Sequence, residues 1–295
     1  MSDLTVQAAA AAPAPAARTI SSPRRTGVEL ERVTRNKPAS VLADSLVLAR
    51  RSLMRIPRQP DWLVGVTLFP IMFLLLFRYI FGGTVQATMP AGENAVNYLV
   101  VGVVIQGLGF GGLNTARGLA MDAKEGLMDR FRALPMTRSS VLLGRILADM
   151  AIATFTTTIT FIAGFLVGFR PEASFIEWVY AFGLMLLLAF SLAWIGAVIG
   201  MALKTVEAVN SIGFAVMFPL TFLSSAFTRV EFLPSWMQGF ARNQPFTLVI
   251  DSVRGWLTGY PDVGNKGIYA TGWLLLGLAI AVPLATWMYE RRSQR

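Results

Sequence analysis

Charged and apolar side chains alternate at helical spacing between residues 121 and 140, a mixture suited to binding another protein rather than to covalent chemistry. Leu127, Phe131 and Leu134 recur at i, i+4 and i+7 and therefore share one face of a helix. Pro135 then ends that helix. The charged residues lie mostly off the apolar face: Lys124, Glu125, Asp129, Arg130 and Arg132. A simple solvated linker would not need an apolar face beside opposite charges, so the pattern predicts an amphipathic elbow that docks on a protein partner.

Covalent catalysis has few candidate residues anywhere in the chain. The 295 residues include no histidine and no cysteine, which excludes an imidazole base, a Ser-His-Asp triad, a thiolate nucleophile and disulfides. The sequence also lacks a GxxxxGK[ST] phosphate-binding loop, carboxylates paired at metal-binding spacing and a nucleophile elbow. We therefore expect the chain to bind no cofactor or metal of its own and to hydrolyse no ATP.

The composition is that of a membrane protein. Hydrophobic residues make up 54% of the chain and charged residues only 15%, and the mean hydropathy is +0.56. Crossing a ~30 Å hydrocarbon layer takes about 20 apolar residues in a helix. Six runs of about that length predict an all-α integral membrane protein with six transmembrane helices: 62–82, 95–116, 146–169, 178–203, 208–228 and 268–289.

The distribution of lysine and arginine predicts the orientation of these spans. If both termini are cytoplasmic, 20 of the 26 basic residues fall on the cytoplasmic side, as the positive-inside rule requires. The net charge of +9 then reflects attraction to anionic membrane lipids rather than to nucleic acid. The remaining basic residues lie on the outer side or at outer span ends: Arg78, Arg170, Arg229, Arg242, Arg254 and Lys266.

Two segments precede the first run. Residues 1–37 are rich in Ala and Pro and then in Arg, which is typical of a disordered cytoplasmic tail. Residues 41–58 predict an N-terminal interfacial helix lying in the headgroup plane, with its arginines off the apolar side. Its predicted apolar stripe consists of Leu42, Leu46, Ala49, Leu53 and Ile56.

The loop at 229–259 is too polar to cross a bilayer and too apolar for a free loop. Pro245 suits the first position of a helix. We expect two helices, at 234–241 and 246–257, that form a re-entrant hairpin in the outer leaflet. A peripheral cap is an equally good interpretation. The second helix has an apolar stripe of Phe246, Val249, Val253 and Trp256.

Small and charged residues inside the runs also carry predictions. Asp149 lies about one turn inside the third run, where we expect an interfacial or helix-paired carboxylate rather than a proton relay.

Glycines four residues apart allow helices to approach closely in lipid. Three runs contain such pairs: Gly107 and Gly111, Gly164 and Gly168, Gly196 and Gly200.

Three stretches carry a family resemblance. They are LARRSLMRIPRQPDWLVGVTLFPIMFLLLFRYIFGG at 48–83, KEGLMDRFRALPMTRSSVLLGRILAD at 124–149 and FARNQPFTLVIDSVRGW at 240–256. The second stretch has the most specific pattern. An acidic residue and a glycine come first, a predicted helix with arginines and the tripeptide LPM follow, and a GR pair and a further acidic residue come last. Together they resemble an ABC-2 type transporter permease of the daunorubicin-resistance branch, over nearly the whole chain after residue 40.

The resemblance implies how the elbow works. In that family the interfacial helix and the elbow rest on a separate ATP-binding subunit, which is expected in two copies and holds the ATP and Mg. The 38–295 region would then be an ABC-2 type transmembrane domain with a cytoplasmic coupling helix. By resemblance the coupling residues are Glu125, Gly126, Asp129, Arg130, Phe131, Arg132, Leu134 and Pro135.

The same resemblance implies a permease in the cytoplasmic membrane that acts in drug efflux and antibiotic resistance. It would pair with a second copy or a paralogue and export an amphipathic drug or lipid-like molecule along a route between the two permeases. The outer hairpin would cap that route, and the first, second and fifth runs would line it. Candidate wall residues are Phe69, Phe73, Gly107, Asn114 and Phe218.

Other functions compete with drug export. Within transport, the cargo could instead be a cell-envelope lipid or polysaccharide, because an apolar lining accepts either class. A membrane enzyme acting on lipid-linked substrates is disfavoured by the missing histidine and the lack of clustered acids. A scaffold that transports nothing would also explain the elbow, taken alone.

Overall fold

The computed structural model describes residues 38–54, 60–90, 92–124, 138–203 and 205–292. In these ranges the chain is helical, with turns between the helices and no strand. A π-helix at Phe77–Phe81 joins α2 to α3, and a 3-10 helix spans Val230–Phe232. The α-helices are α1 (Pro38–Leu53), α2 (Pro60–Leu76), α3 (Gly82–Ala87), α4 (Ala95–Lys124), α5 (Arg138–Val167), α6 (Phe175–Ala202), α7 (Val206–Phe222), α8 (Ser235–Asn243), α9 (Pro245–Thr258) and α10 (Lys266–Arg292).

Five helical stretches of the described chain are long and apolar enough to cross a membrane: Leu63–Ala87, Ala95–Lys124, Ser140–Val167, Phe175–Ala202 and Lys266–Tyr289. These correspond to five of the six predicted runs. The protein is therefore all-helical in the described ranges, with five candidate spans.

The apolar run at 208–228 forms a shorter helix than the sequence suggested. Its helix, α7, has 17 residues and ends at Phe222, below the ~20 needed for a straight crossing. After Phe222 the chain leaves the helix, and its two serines form one hydrogen bond back to α7 and one to another helix. Ser224 donates a 2.5 Å hydrogen bond to the carbonyl of Thr221, and Ser225 donates a 2.6 Å bond to Asp251 on α9.

Helix α4 lies at the centre of the bundle. Most of its apolar window is buried, whereas only a small share of the windows of α2, α5 and α10 is buried, as expected of helices that face lipid. The neighbour α6 approaches α4 closely at Gly196 and Gly200, where no side chain separates the two backbones. This contact holds α4 against α6 over about one helical turn.

Helix α1 packs on α5 through small residues. Ser45 and Ala49 are buried there, and the Ser45 hydroxyl donates a 3.2 Å hydrogen bond to the carbonyl of Ser140. Gly144 leaves room for this contact. Of the predicted apolar stripe, Ala49 is buried at this contact whereas Leu46 is 61% exposed, so the stripe meets α5 only in part.

The two helices predicted between 229 and 259 are present as α8 and α9, within two residues of the expected bounds. Pro245 occupies the first turn of α9, and Gly259 ends it in a left-handed conformation, with φ of +75°. Phe246, Val249 and Val253 of the predicted stripe are buried. Helix α9 is thus packed on the bundle rather than free.

Three parts of the predictions fall outside the described residues. They are the tail at 1–37, the end of the interfacial helix at 55–58 and the central part of the elbow at 125–137. The structure does describe the two helices that flank the elbow, α4 and α5. We call the end of the bundle where α4 ends and α5 begins the elbow end, and the end where α8 and α9 lie the hairpin end.

Candidate functional site

A cavity of about 420 Å³ lies among α2, α4, α5, α6 and α7. Several glycines and alanines line it, which leaves room between the helices: Gly65, Gly107, Gly111, Gly112, Ala153, Ala189 and Ala193. Its larger apolar side chains are Val66, Phe69, Pro70, Leu108, Phe110 and Phe214. A space of this size and lining suits one drug-sized molecule, for which pockets measure ~300–1,000 Å³.

The elbow-end part of the cavity is polar. Asn114, Thr115 and Arg117 of α4 line it together with Asp149 of α5. The guanidinium of Arg117 donates from Nε to the side-chain oxygen of Asn210 on α7, and from Nη1 to that of Asn114 at 3.3 Å. One end of the cavity therefore offers hydrogen-bonding and charged groups, while the rest is apolar.

Asp149 connects the cavity to the helix ends beside the elbow. Its Oδ2 accepts a 2.6 Å hydrogen bond from the Thr115 hydroxyl and lies 3.9 Å from Nε of Arg145. Arg145 in turn places Nη1 2.7 Å from Oδ2 of Asp122, two residues before the end of α4. Asp149 is thus a helix-paired carboxylate, as expected from the sequence.

Gly118 makes this ion pair possible. A Cβ at residue 118 would overlap the guanidinium of Arg145, which lies directly against the backbone of α4. The chain of contacts Asp122–Arg145–Asp149–Thr115, which we call the clasp, therefore joins the elbow ends of α4 and α5 and reaches the cavity wall.

Three of the five predicted wall residues line the cavity: Phe69, Gly107 and Asn114. The other two lie in an aromatic row beside it. Phe73 has its ring centroid 4.8 Å from that of Phe69, and Phe218 stacks on Phe222 at 4.2 Å. The row continues across the hairpin end through Phe227, which stacks on the π-helix residue Phe77 at 4.1 Å.

Many residues of the cavity wall were not predicted from the sequence, among them Phe214 and Arg117. Phe214 could have been found, because it precedes Phe218 by four residues on the same helical face. Arg117 was counted only as a basic residue between two runs. Its helix continues to Lys124, beyond the end of the apolar run, so Arg117 lies within the helix instead of in a loop.

A second polar cluster, centred on Arg254 of α9, was not assigned from the sequence. Arg254 is only 1% exposed, and its Nη2 donates to the carbonyls of Tyr98 and Ser225 at 3.1 and 2.8 Å. The guanidinium lies over the Tyr98 ring, 3.6 Å from the centroid, and 3.6 Å from Asp251. Asp251 also accepts from Lys266 of α10 at 3.1 Å. This cluster ties α9 to α4 and α10.

The eight predicted coupling residues lie outside the described part of the chain, so their positions stay a prediction. The flanking helices show what the elbow connects: Lys124 is the last residue of α4 and Arg138 the first of α5. Across the described ranges, no group of three or more acidic side chains could hold a metal ion.

Membrane-length helices around an amphipathic cavity are the architecture expected of a membrane transport protein. Residues 44–257 match the family of ABC-2 type transporters, and the chain belongs to that family. It is a membrane-embedded transport permease, and the family implies a partner subunit that binds and hydrolyses ATP.

The most informative relatives are drug-resistance permeases. The chain is 29% identical to the daunorubicin resistance ABC transporter permease protein DrrB1 of Streptomyces coeruleorubidus, covering 87% of this chain and 90% of the relative. It is 27% identical to the probable doxorubicin resistance ABC transporter permease protein DrrC of Mycobacterium tuberculosis, with 88% and 93% covered. A putative transport permease of Cyanophora paradoxa, ycf38, is 23% identical over 77% of this chain and 80% of its own length.

Proposed function

We propose that this permease exports an amphipathic drug or lipid-like molecule across the cytoplasmic membrane, driven by ATP hydrolysis in a separate subunit. The observation that supports this cargo most directly is the cavity, with its aromatic wall and its polar elbow end. Two relatives are named for resistance to the drugs daunorubicin and doxorubicin, which agrees with such a cargo. The small volume, about 420 Å³, favours a single compact molecule over a polysaccharide chain.

The working assembly in this proposal contains two permeases, identical or paralogous, above two ATP-binding subunits that bind ATP and Mg. Each permease would have six spans, with α7 and the turn after it serving as the fifth. The charge distribution supports cytoplasmic termini. Helix α1 would then lie at the cytoplasmic interface, and α8 and α9 would form a hairpin in the outer leaflet.

Coupling between ATP hydrolysis and export would run through the elbow. We expect its helix to insert into the ATP-binding subunit with Phe131 as an apolar anchor. The clasp supports this route, because Asp122 and Arg145 join the two helix ends on either side of the elbow. Asp149 extends the connection to the cavity wall at Thr115. A movement of the elbow would thereby change the polar end of the cavity.

The test uses the permease reconstituted in liposomes with its ATP-binding subunit. Phe131→Ala should weaken docking, since removing an aromatic anchor typically costs ~2 kcal/mol or more. Asp129→Pro should break the elbow helix, a loss of ~3 kcal/mol. We expect drug-stimulated ATP hydrolysis and daunorubicin export to fall together in both variants. Arg242→Gln, on the exposed side of α8, is the control and should export normally.

Two results would contradict the proposal. Export by the purified permease without any ATP-binding subunit would remove the need for coupling. Normal export by both elbow variants in the complete complex would show that the elbow does not couple ATP hydrolysis to export. Binding of each variant to the ATP-binding subunit, measured by co-purification, separates a docking defect from failure to insert into the membrane.

A further inference from the structure

Arg117 has a positive charge that the described protein does not balance. Its two hydrogen bonds go to neutral amide oxygens, those of Asn114 and Asn210. In the part of the chain that the structure describes, its guanidinium forms no ion pair within 4 Å. A guanidinium has five N–H donors, so three of them take no part in these two bonds, and Arg117 lines the cavity.

Two other arginines of the bundle, Arg145 and Arg254, do have a carboxylate nearby. Arg145 pairs with Asp122 at 2.7 Å, and Arg254 lies 3.6 Å from Asp251. Taking a cation out of water costs several kcal/mol unless an anion and hydrogen bonds compensate. Arg117 is half-buried, lines a cavity in a membrane protein and has no carboxylate partner among the described residues, so part of this cost is uncompensated. An anion that enters the cavity would supply it.

The other charged group of the cavity is already engaged. Asp149 accepts from Thr115 and lies 3.9 Å from Arg145. A cationic ligand at Asp149 would therefore compete with Arg145 for the carboxylate. An anionic ligand at Arg117 would displace no carboxylate and could form two parallel charge-assisted hydrogen bonds.

We propose that Arg117 binds the anionic head of an amphipathic cargo, a phosphate, sulfate or carboxylate, while the apolar body of that cargo lies against Phe69, Phe110 and Phe214. The proposal rests on the export function proposed above and names the chemical class of its cargo. The positions of these residues along their helices support placing the anionic head at Arg117 and the apolar body beside the phenylalanines. Arg117 lies toward the elbow end of α4, and Phe69, Phe110 and Phe214 line the apolar remainder of the cavity.

The test measures binding to the purified full-length permease in a neutral maltoside detergent by isothermal titration calorimetry. Decyl phosphate is the anionic probe, decyltrimethylammonium the cationic one, and inorganic phosphate the probe without an apolar body. We expect decyl phosphate to bind the wild type most tightly. Arg117→Gln should weaken that binding at least tenfold, or ~1.4 kcal/mol. Arg117→Lys should give an intermediate loss, because a lysine keeps the charge without the planar fork.

The matched control is Arg242→Gln, which removes one positive charge from the exposed side of α8 and should leave binding unchanged. Equal binding of decyl phosphate to the wild type and Arg117→Gln would overturn the proposal, as would tighter binding of decyltrimethylammonium. Inorganic phosphate binding as tightly as decyl phosphate would overturn the role of the aromatic wall. Competition by phosphatidic acid would support the site and identify a membrane lipid as the source of the anion.

Failure of this proposal can be told apart from failure of the export function. If the wild-type complex exports daunorubicin but neither permease form binds decyl phosphate, the anion site is wrong and export stands. If the wild-type complex exports nothing while decyl phosphate binding depends on Arg117, the site stands and the proposed export of drugs is wrong.

Discussion

Gly196 of α6 packs directly on the backbone of Gly112 of α4, so closely that a Cβ at residue 196 would overlap the carbonyl oxygen of Gly112. Gly200, one turn further along, packs in the same way on Ala116. Gly112 also lines the cavity, and the polar wall follows it on α4. The close approach of α4 and α6 therefore fixes the position of the cavity's polar end.

We expect Gly200→Ala to destabilise the protein, because the new methyl group would force α4 and α6 apart. Overpacking of this kind typically costs ~1–3 kcal/mol. Gly183→Ala on the same helix is the control, since a Cβ there would meet nothing within 4 Å and alanine favours the helix by up to about 1 kcal/mol. Thermal unfolding of both variants in one detergent should shift in opposite directions. Equal shifts would show that the helix contact is not tight.

Glycine spacing alone could predict only part of this packing. Of the three glycine pairs in the sequence, Gly196 and Gly200 both lie against a neighbouring backbone. Gly111 meets nothing within 4 Å and borders the cavity, and Gly168 has a φ of +108° at the end of α5. Glycines at the same spacing thus lie at a helix contact, beside the cavity or just after a helix end. Which of these applies depends on the residues packed against each glycine, and the sequence alone does not show those residues.

The apolar runs predicted the helices well because burial in lipid requires a long apolar stretch, whatever the partner. They failed at the end of α7, where Ser225 bonds to Asp251 across the structure. Arg254 illustrates the same limit. The sequence placed it only on the outer side or at an outer span end, and gave no sign that it is buried by contacts with residues 156 and 29 positions earlier, Tyr98 and Ser225.

Arg254→Gln should strongly destabilise the hairpin end. The substitution removes the donors to two buried carbonyls and leaves Asp251 without its arginine, and breaking a buried pair typically costs ~3–5 kcal/mol. Arg254→Lys should recover part of the loss by keeping the charge. The thermal unfolding midpoint and protease sensitivity of α9 would measure both. Arg242→Gln, on the exposed side of α8, should unfold like the parent; a similar midpoint for Arg254→Gln would contradict a structural role of the cluster.

The proposed topology can be checked by labelling, since the chain has no cysteine of its own. Asp262 and Arg291 are both exposed and lie before and after the apolar part of α10. In intact cells, Asp262→Cys should react with an impermeant thiol reagent and Arg291→Cys should be protected until the membrane is opened. The opposite pattern would invert the topology, and reaction at both sites would show that α10 does not cross the membrane.

Thr115→Val should reveal the energetic link between the cavity wall and the clasp. Thr115 is fully buried, and its hydroxyl donates a 2.6 Å hydrogen bond to Asp149 on another helix. Removing a hydrogen bond to a charged group costs ~1.5–3 kcal/mol, so the unfolding midpoint should fall clearly. Thr221→Val is the matched control. Thr221 is also buried, but its hydroxyl bonds to the carbonyl of Met217 in its own helix, a contact with little net value.

A double-mutant cycle of Thr115→Val with Asp149→Asn would assign the loss to that pair. If Thr115 acts through the carboxylate, the two substitutions should be non-additive by 0.5 kcal/mol or more, within the ~0.5–3 kcal/mol range of contacting residues. Additive effects would show that Thr115 matters only for local packing. The same variants in the complex with the ATP-binding subunit should also lower drug-stimulated ATP hydrolysis, because the clasp would no longer hold the cavity wall to the helix ends beside the elbow. Unchanged stimulation together with a lowered unfolding midpoint would limit the clasp to a structural role.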